Sequence, residues 1–162
     1  MKKNNLLIMI FAAVLFFSAT AALFAHEHKP PHKGTLVVFG EDFCHVELVF
    51  DPASGKLSGF VLDGEAENPV RIVQKTIRMK LKINEKQVSI VLNAAANPLT
   101  GETVGDTSEF SAVITGLKGL SRFSGTIVYA NIKGVTFKNV DFMYPEGNEN
   151  MKPAAADKAK AK

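Results

Sequence analysis

Apolar and polar residues alternate along most of the chain between Thr35 and Tyr144, and this period of two constrains the fold more than any other feature. Successive side chains of a β-strand point to opposite faces of the sheet, so this period is typical of strands with one buried face. No segment has a convincing apolar repeat of 3.6 residues. The sequence therefore predicts an all-β domain.

The predicted strands are short and are separated by turn-forming residues. Residues 51–55 (DPASG) combine a proline that fixes φ with a glycine that allows a positive φ, and Lys133-Gly134 marks the last turn. We expect strands at 35–39, 43–50, 57–63, within 70–83, and at 87–92, 109–115, 123–132 and 135–144, with a long loop at 93–107 and a helical turn at 117–120. About eight strands with short connections predict a single antiparallel β-sandwich or barrel-like domain.

Residues 1–25 have the three parts of a secretory signal peptide. Lys2 and Lys3 are followed by an apolar run at 6–17 and then by small residues. The apolar run is short for a membrane span, and no second hydrophobic segment follows it. We expect a protein exported to the periplasm or the extracellular space without a transmembrane segment, after cleavage behind Ala21, Ala22 or Ala25.

The chain divides into four predicted parts. The signal peptide (1–25) precedes a linker rich in histidine and proline (26–33), and the β-domain covers residues 34–145. Residues 146–162 are rich in alanine and lysine and cannot bury enough apolar surface to offset their ordering entropy, which predicts a disordered C-terminal tail. The β-domain is long enough to build one hydrophobic core.

Charge and cysteine content exclude some classes of function. The net charge of +3 comes from the lysines of the two ends, which leaves the β-domain formally neutral, so the basic pI does not indicate nucleic-acid binding. Cys44 is the single cysteine, so an exported form has no intramolecular disulfide and depends on packing. Cys44 shares a strand face with Val46 and Leu48, which predicts a small buried hydrophobic residue.

Motifs of common enzymes are absent from the sequence. The chain has no G-x-S-x-G, no Walker A loop and no C-x-x-C. The glycine-rich segment 101–106 (GETVGD) has no lysine and opens no helix, so we interpret it as a loop with glycines at turns. These observations favour a protein that is not an enzyme.

Histidines concentrate in residues 26–34 (HEHKPPHKG). If the signal peptide ends at Ala25, the mature chain begins with His26, Glu27 and His28. Its terminal amine, two deprotonated amide nitrogens and the third residue's imidazole then form a square-planar set of four nitrogens, which selects Cu(II) or Ni(II). The alternative is a polar tether that binds no physiological metal.

A second group of metal ligands is predicted inside the domain. His45 and Glu47 are two residues apart on one strand and share a face, where His32 can join them. Two imidazoles and a carboxylate suit Zn(II) or Cu(II). A further oxygen ligand is expected from one of three carboxylates, Glu41, Asp42 or Asp63. The alternative is that His45 and Glu47 are ordinary solvent-facing residues of the sheet.

A row of cations, Arg78, Lys80 and Lys82, occupies the polar face of one predicted strand. Such a row can meet an anionic partner such as lipid headgroups, but it is more typical of a solvated face or a protected sheet edge. Two functions are favoured at this point over a third, an enzyme with an unrecognised site. The first is an exported metal-binding protein, and the second is a metal-free structural or interaction module of the cell envelope that binds an envelope protein.

Five stretches of the sequence resemble a family of small exported bacterial β-proteins with no established activity. The stretches are PHKGTLVV (31–38), HVELV (45–49), VLDGEAENPVRI (61–72), TGETVGDTSEF (100–110) and IVYANIKGVTFKNVDF (127–142). Four of them are similar, in this order, to a Pro-His-Gly-Gly segment, a His-x-Glu strand, a TGExVGDT loop and an ITIxGxTFxxVxF ending, and residues 61–72 lie between the second and third. The resemblance covers roughly residues 30–148 and implies a compact β-domain. Lys33 stands where the pattern has its first glycine.

Overall fold

The computed structural model describes residues 28–149 and Met151. The predicted signal peptide, His26 and Glu27 of the linker, and most of the predicted tail lie outside the described residues. Within the described part, no helix is long and apolar enough to cross a membrane.

Eight antiparallel strands form one sheet that is nearly closed into a barrel, which confirms the predicted fold class. The strands are β1 (Thr35–Phe39), β2 (Cys44–Asp51), β3 (Lys56–Leu62), β4 (Thr76–Ile83), β5 (Lys86–Ala94), β6 (Glu109–Val113), β7 (Phe123–Ile132) and β8 (Val135–Tyr144). Their order across the sheet is β1-β2-β3-β6-β5-β4-β7-β8. Chain neighbours therefore pair as hairpins at both ends of the sheet, and β6 joins the two halves.

The seam between β1 and β8 is bridged by Asn148, which follows β8. The N–H of Val38 donates to Oδ1 of Asn148 over 2.7 Å, and Nδ2 of Asn148 donates to the carbonyl of Val38 over 3.1 Å. This side-chain amide thus bonds β1 as a neighbouring strand would. Asn148 falls in the segment predicted to be a tail, so ordered structure extends beyond residue 145.

Strand bounds follow the sequence pattern closely, and three strands have the bounds predicted for them. The largest difference lies before β4, where the alternating residues 70–75 are not a strand and make only an isolated bridge, Ile72 to Thr107. A single 3-10 turn spans Thr115–Leu117 instead of residues 117–120. Alternation alone does not distinguish a strand from an extended connection.

The inward faces of the strands form the core. Its largest fully buried side chains include four phenylalanines, Phe39, Phe110, Phe137 and Phe142. Cys44 is buried among them, and this burial raises the pKa of its thiol to about 12 against an opposing effect of Lys133. The thiol therefore stays protonated and acts as a small hydrophobic group, as its position in the sequence predicted.

The outward face of β2 is buried as well. His45 and Glu47, which point away from the core, have no exposed surface. Residues 28–34, which we call the strap, lie against this face, and a small apolar cluster of Leu36, Leu62 and Ala66 lies beside it. The alternative that His45 and Glu47 are ordinary solvent-facing residues is therefore wrong, because both side chains are buried.

Candidate metal site

The imidazole of His45 has one satisfied and one unsatisfied nitrogen. Its Nδ1 lies 3.0 Å from the backbone carbonyl of Asp63, and because a carbonyl only accepts, this nitrogen is the one that carries the proton. The lone pair of the neutral ring is then on Nε2, which is buried and has no hydrogen-bond partner among the described residues. Leaving a buried polar atom unpaired costs about 1–3 kcal/mol, so this nitrogen requires an explanation.

Two further residues with donor atoms lie beside the His45 ring. Oδ1 of Asp42 lies 3.9 Å from Nε2 of His45, and the ring of His28 meets the His45 ring edge-on with centroids 4.6 Å apart. One ligand atom from each of the three residues lies within 4.8 Å of the others. Donors around a tetrahedral zinc ion are about 3.3 Å apart, so a small inward movement brings the group to bonding geometry. Asp42 is 63% exposed and free to make it.

Local backbone geometry brings Asp42 and Asp63 to His45. Asp42 lies in the turn between β1 and β2 with a φ of 54°, and Gly40 opens this turn with a φ of 70°. At Gly64 a Cβ atom would lie only 2.4 Å from the carbonyl oxygen of Asp42, so only glycine allows the two turns to approach this closely. The approach places the Asp63 carbonyl within hydrogen-bond distance of the His45 ring.

The carboxylate of Asp63, unlike its backbone carbonyl, bonds residues of its own turn and not His45. Its carboxylate accepts hydrogen bonds from the backbone N–H groups of Glu67 and Asn68 and from the Asn68 amide. Burial opposes ionisation, but these bonds together outweigh it and hold the pKa of the Asp63 carboxyl below its usual value. Of the three carboxylates expected to supply an oxygen, the structure brings Asp42 to the imidazoles and uses Asp63 to orient His45. Glu41 is exposed and outside the group.

His32 and Glu47 form a separate pair. Nδ1 of His32 lies 2.7 Å from Oε2 of Glu47, while Oε1 accepts the backbone N–H groups of His32 (2.8 Å) and Gly34 (2.7 Å). The His32 ring also stacks on Phe60 at a centroid distance of 4.0 Å. Both oxygens of Glu47 are therefore engaged by the strap. The predicted grouping of His32, His45 and Glu47 is divided by the structure into this pair and the His45 group.

His28 was assigned from the sequence to a terminal copper site, not to the β-domain, and His26 lies outside the described residues. The structure places His28 beside His45, a contact that no spacing in the sequence indicated. The Pro30-Pro31 step gave no such signal either, because consecutive prolines favour an extended spacer.

The donors define the class of site: two imidazoles and one carboxylate that could hold a metal ion, at the surface end of the β2 outer face. Comparison with protein-family models, with curated proteins and with solved structures gives no match. The functional assignment therefore depends on the geometry of this group.

Proposed function

We propose that this is an exported, non-catalytic protein that binds Cu(II) or Zn(II) through His28, Asp42 and His45. The observation that carries the proposal is the buried, unpaired Nε2 of His45. A ligating histidine commonly donates its other ring N–H to a carbonyl or carboxylate, which fixes the tautomer and the ring orientation. The bond from Nδ1 to the Asp63 carbonyl is of this kind.

The chemistry of the donors supports a borderline transition metal. Imidazole nitrogens suit Zn(II) and Cu(II), whereas Ca(II) and Mg(II) require mostly oxygen ligands. Three protein donors leave a fourth position for water or a partner's ligand. The Asp42 side chain is largely exposed, so the group is open to solvent on that side, which suits a protein that takes up and releases its ion.

Export and the lack of catalysis are supported by the sequence. Residues 1–25 have the organisation of a signal peptide, and the motifs of common nucleophilic and nucleotide-dependent enzymes are absent. If cleavage follows Ala25, His28 also belongs to the predicted terminal site with His26, and the two sites compete for one imidazole. The intact mass of the secreted protein gives the cleavage position directly.

Titration of the secreted protein with Cu(II) and with Zn(II) in a calorimeter tests the proposal. We expect a dissociation constant below 10 µM, about −7 kcal/mol, that weakens in His28→Ala, Asp42→Asn and His45→Ala variants. Glu41→Gln is the matched control, because this neighbouring carboxylate lies outside the group. A variant with one additional residue before His26 distinguishes the two sites. His28 is then no longer the third residue, so the terminal site is lost while His28, Asp42 and His45 are unchanged. Wild-type binding weaker than 10 µM, or retained affinity in all three variants, would contradict the proposal.

A metal-free interaction module is the second candidate, and one observation favours it. β5 pairs with β6 only through Asn93 and Ala94, so residues 86–92 have one edge without a strand neighbour in the described part of the chain. Val88 and Val91 are 40% and 43% exposed there. An open edge can accept the same strand of a second copy. Sedimentation of the wild-type protein and a Val91→Lys variant tests this use of the edge: a dimer lost in the variant supports it, and a wild-type monomer contradicts self-association through the edge.

A further inference from the structure

Resting on the proposed metal site, we infer that Glu47 is a positioning residue that holds the strap so that His28 faces His45. Glu47 touches neither imidazole of the metal group in the described structure, yet the strap that carries His28 is bound to this carboxylate. The assignment deepens the proposed function by identifying what pre-organises its N-terminal ligand.

Three hydrogen bonds attach the strap to this one carboxylate. The backbone N–H groups of His32 and Gly34 converge on Oε1, and the His32 ring occupies Oε2, at distances of 2.7 to 2.8 Å. The Glu47 side chain is completely buried, so its carboxylate depends on these bonds for its hydrogen-bond partners. The carboxylate is therefore the principal polar anchor of the strap on β2.

Close packing fixes the strap in the same place. At Gly34 a Cβ atom would lie 2.5 Å from the carbonyl oxygen of Leu48 and 2.9 Å from Cγ of Glu47, so the backbone lies directly on β2. The ring of Phe60, which is opposite Glu47 on β3, stacks on His32 with an interplanar angle of 14°. Both contacts restrict sliding of the strap along the strand.

A turn then sends the chain from the anchor to the metal group. The N–H of Lys33 donates to the carbonyl of Pro30 over 3.1 Å, and Lys33 has a φ of 59°, which closes a tight turn around Pro31. The proline rings fix φ in this turn and limit the paths open to the preceding residues. His28 lies two residues before Pro30, so the anchor at Glu47 determines where its imidazole is presented.

The β2 strand thus carries both a metal ligand and the residue that anchors the strap. His45 and Glu47 point to the same outer face of β2, so one binds the ion and the other binds the strap that delivers the second imidazole. Loss of an outer-shell residue that orients a ligating histidine weakens metal affinity by about 10-fold to 100-fold, and Glu47 orients His28 through the strap. We expect a loss in this range when Glu47 no longer accepts the strap.

The experiment measures Cu(II) and Zn(II) affinity in Glu47→Ala and Glu47→Gln variants of the full secreted chain. Glutamine retains one oxygen for the two backbone N–H groups, so its loss of affinity is expected to be smaller than that of alanine. Glu102→Gln is the matched control. Glu102 is also buried and also accepts a backbone N–H, from Ser108, but it belongs to a loop outside the metal group.

Pulsed EPR of the Cu(II) form provides a readout that a general loss of stability does not change. We expect two coordinated imidazoles in the wild-type protein and in Glu102→Gln, and one in Glu47→Ala. If Glu47→Ala does not fold, His32→Gln replaces it, because this change removes the ring from Oε2 but leaves both backbone bonds to Oε1. For His32→Gln we expect a smaller loss of affinity than for Glu47→Ala, because both backbone bonds to Oε1 remain.

The outcomes separate this inference from the proposed function. If the wild-type protein does not bind either metal, the proposed function itself is contradicted. If it binds with two imidazoles and the Glu47 variants bind equally well, the positioning role is wrong and the metal site stands. A loss in Glu102→Gln equal to that in Glu47→Ala would also overturn the positioning role, because the effect would then follow stability alone.

Discussion

The strap and the loop at 95–107 are both held by a buried glutamate, but only one of them adjoins an unsatisfied atom. Glu102 accepts the N–H and hydroxyl of Ser108 and the hydroxyl of Thr100. Glu47 accepts three bonds from the strap in a similar way. The difference lies two residues away on β2, where Nε2 of His45 has no partner in the described structure. A buried carboxylate alone therefore indicates structure, and the unpaired nitrogen indicates a site.

The largest effect that distinguishes the two regions is on metal affinity. Replacement His45→Phe removes a ligand while it keeps an aromatic ring in the buried space, and we expect affinity for Zn(II) to fall by more than about 100-fold, beyond the usual range of outer-shell changes. Glu102→Gln should leave the affinity within twofold of the wild-type value. Calorimetric titration of both variants measures this, and equal losses would remove the distinction between the regions.

Glycines at the two regions are expected to differ in importance. At Gly34 an added methyl group overlaps a backbone oxygen of β2, and we expect Gly34→Ala to reduce the free energy of unfolding by about 3 kcal/mol. At Gly101, in the loop, no described atom lies within 4 Å of an added Cβ, and only the φ of 70° opposes it. There we expect a loss of about 1–2 kcal/mol. Urea unfolding of the two variants gives the comparison.

Apolar replacement of the two buried polar groups should give unequal changes in stability. Glu102→Leu leaves the N–H of Ser108 without its acceptor, and we expect the free energy of unfolding to fall by about 2 kcal/mol. His45→Phe loses the bond to Asp63 but also removes the unpaired nitrogen, so we expect a change of less than about 1 kcal/mol in the metal-free protein. A larger loss for His45→Phe than for Glu102→Leu would show that Nε2 is satisfied in solution.

The smallest predicted effect is the loss, at acid pH, of the stability that the Glu102 carboxylate contributes. Burial opposes ionisation of Glu102, but bonds from Ser108 and Thr100 and the charge of Arg71 together lower its pKa below the usual 4.5. A carboxyl with a lowered folded-state pKa stabilises the fold above its unfolded pKa, and this contribution is lost as the pH falls through the folded value. The stability difference between wild type and Glu102→Gln should therefore narrow below pH 4.5. Thermal unfolding between pH 3 and 7 measures it, and a constant difference would contradict the assignment.

Most of the fold could be predicted from the sequence because local signals determine it. Alternation and turn residues identified β1, β7 and β8 with their bounds. The place of β6 between β3 and β5 could not be predicted, since it depends on pairing between residues distant in the chain. The same holds for residues 70–75, whose alternating pattern belongs to an extended connection.

The candidate site was predictable only in part. The spacing of His45 and Glu47 correctly indicated one shared face, because that follows from strand geometry. Their burial was not predictable, since it results from contacts of the outer face of β2 with the strap and with the turn after β3, where the Asp63 carbonyl meets His45. The sequence placed His32 with both His45 and Glu47, but in the structure His32 meets only Glu47, and His28 meets His45. The path of the strap, set by its bonds to Glu47, determines this arrangement and could not be read from the sequence.

The most direct test of the metal site is the ¹⁵N NMR spectrum of the histidine side chains during a titration with Zn(II). We predict that Nε2 of His45 is unprotonated in the metal-free protein and shifts on zinc binding together with a nitrogen of His28, while Nδ1 of His45 stays protonated on the Asp63 carbonyl. Resonances of His45 that do not change at saturating zinc, or a proton on Nε2 in the metal-free state, would contradict the account.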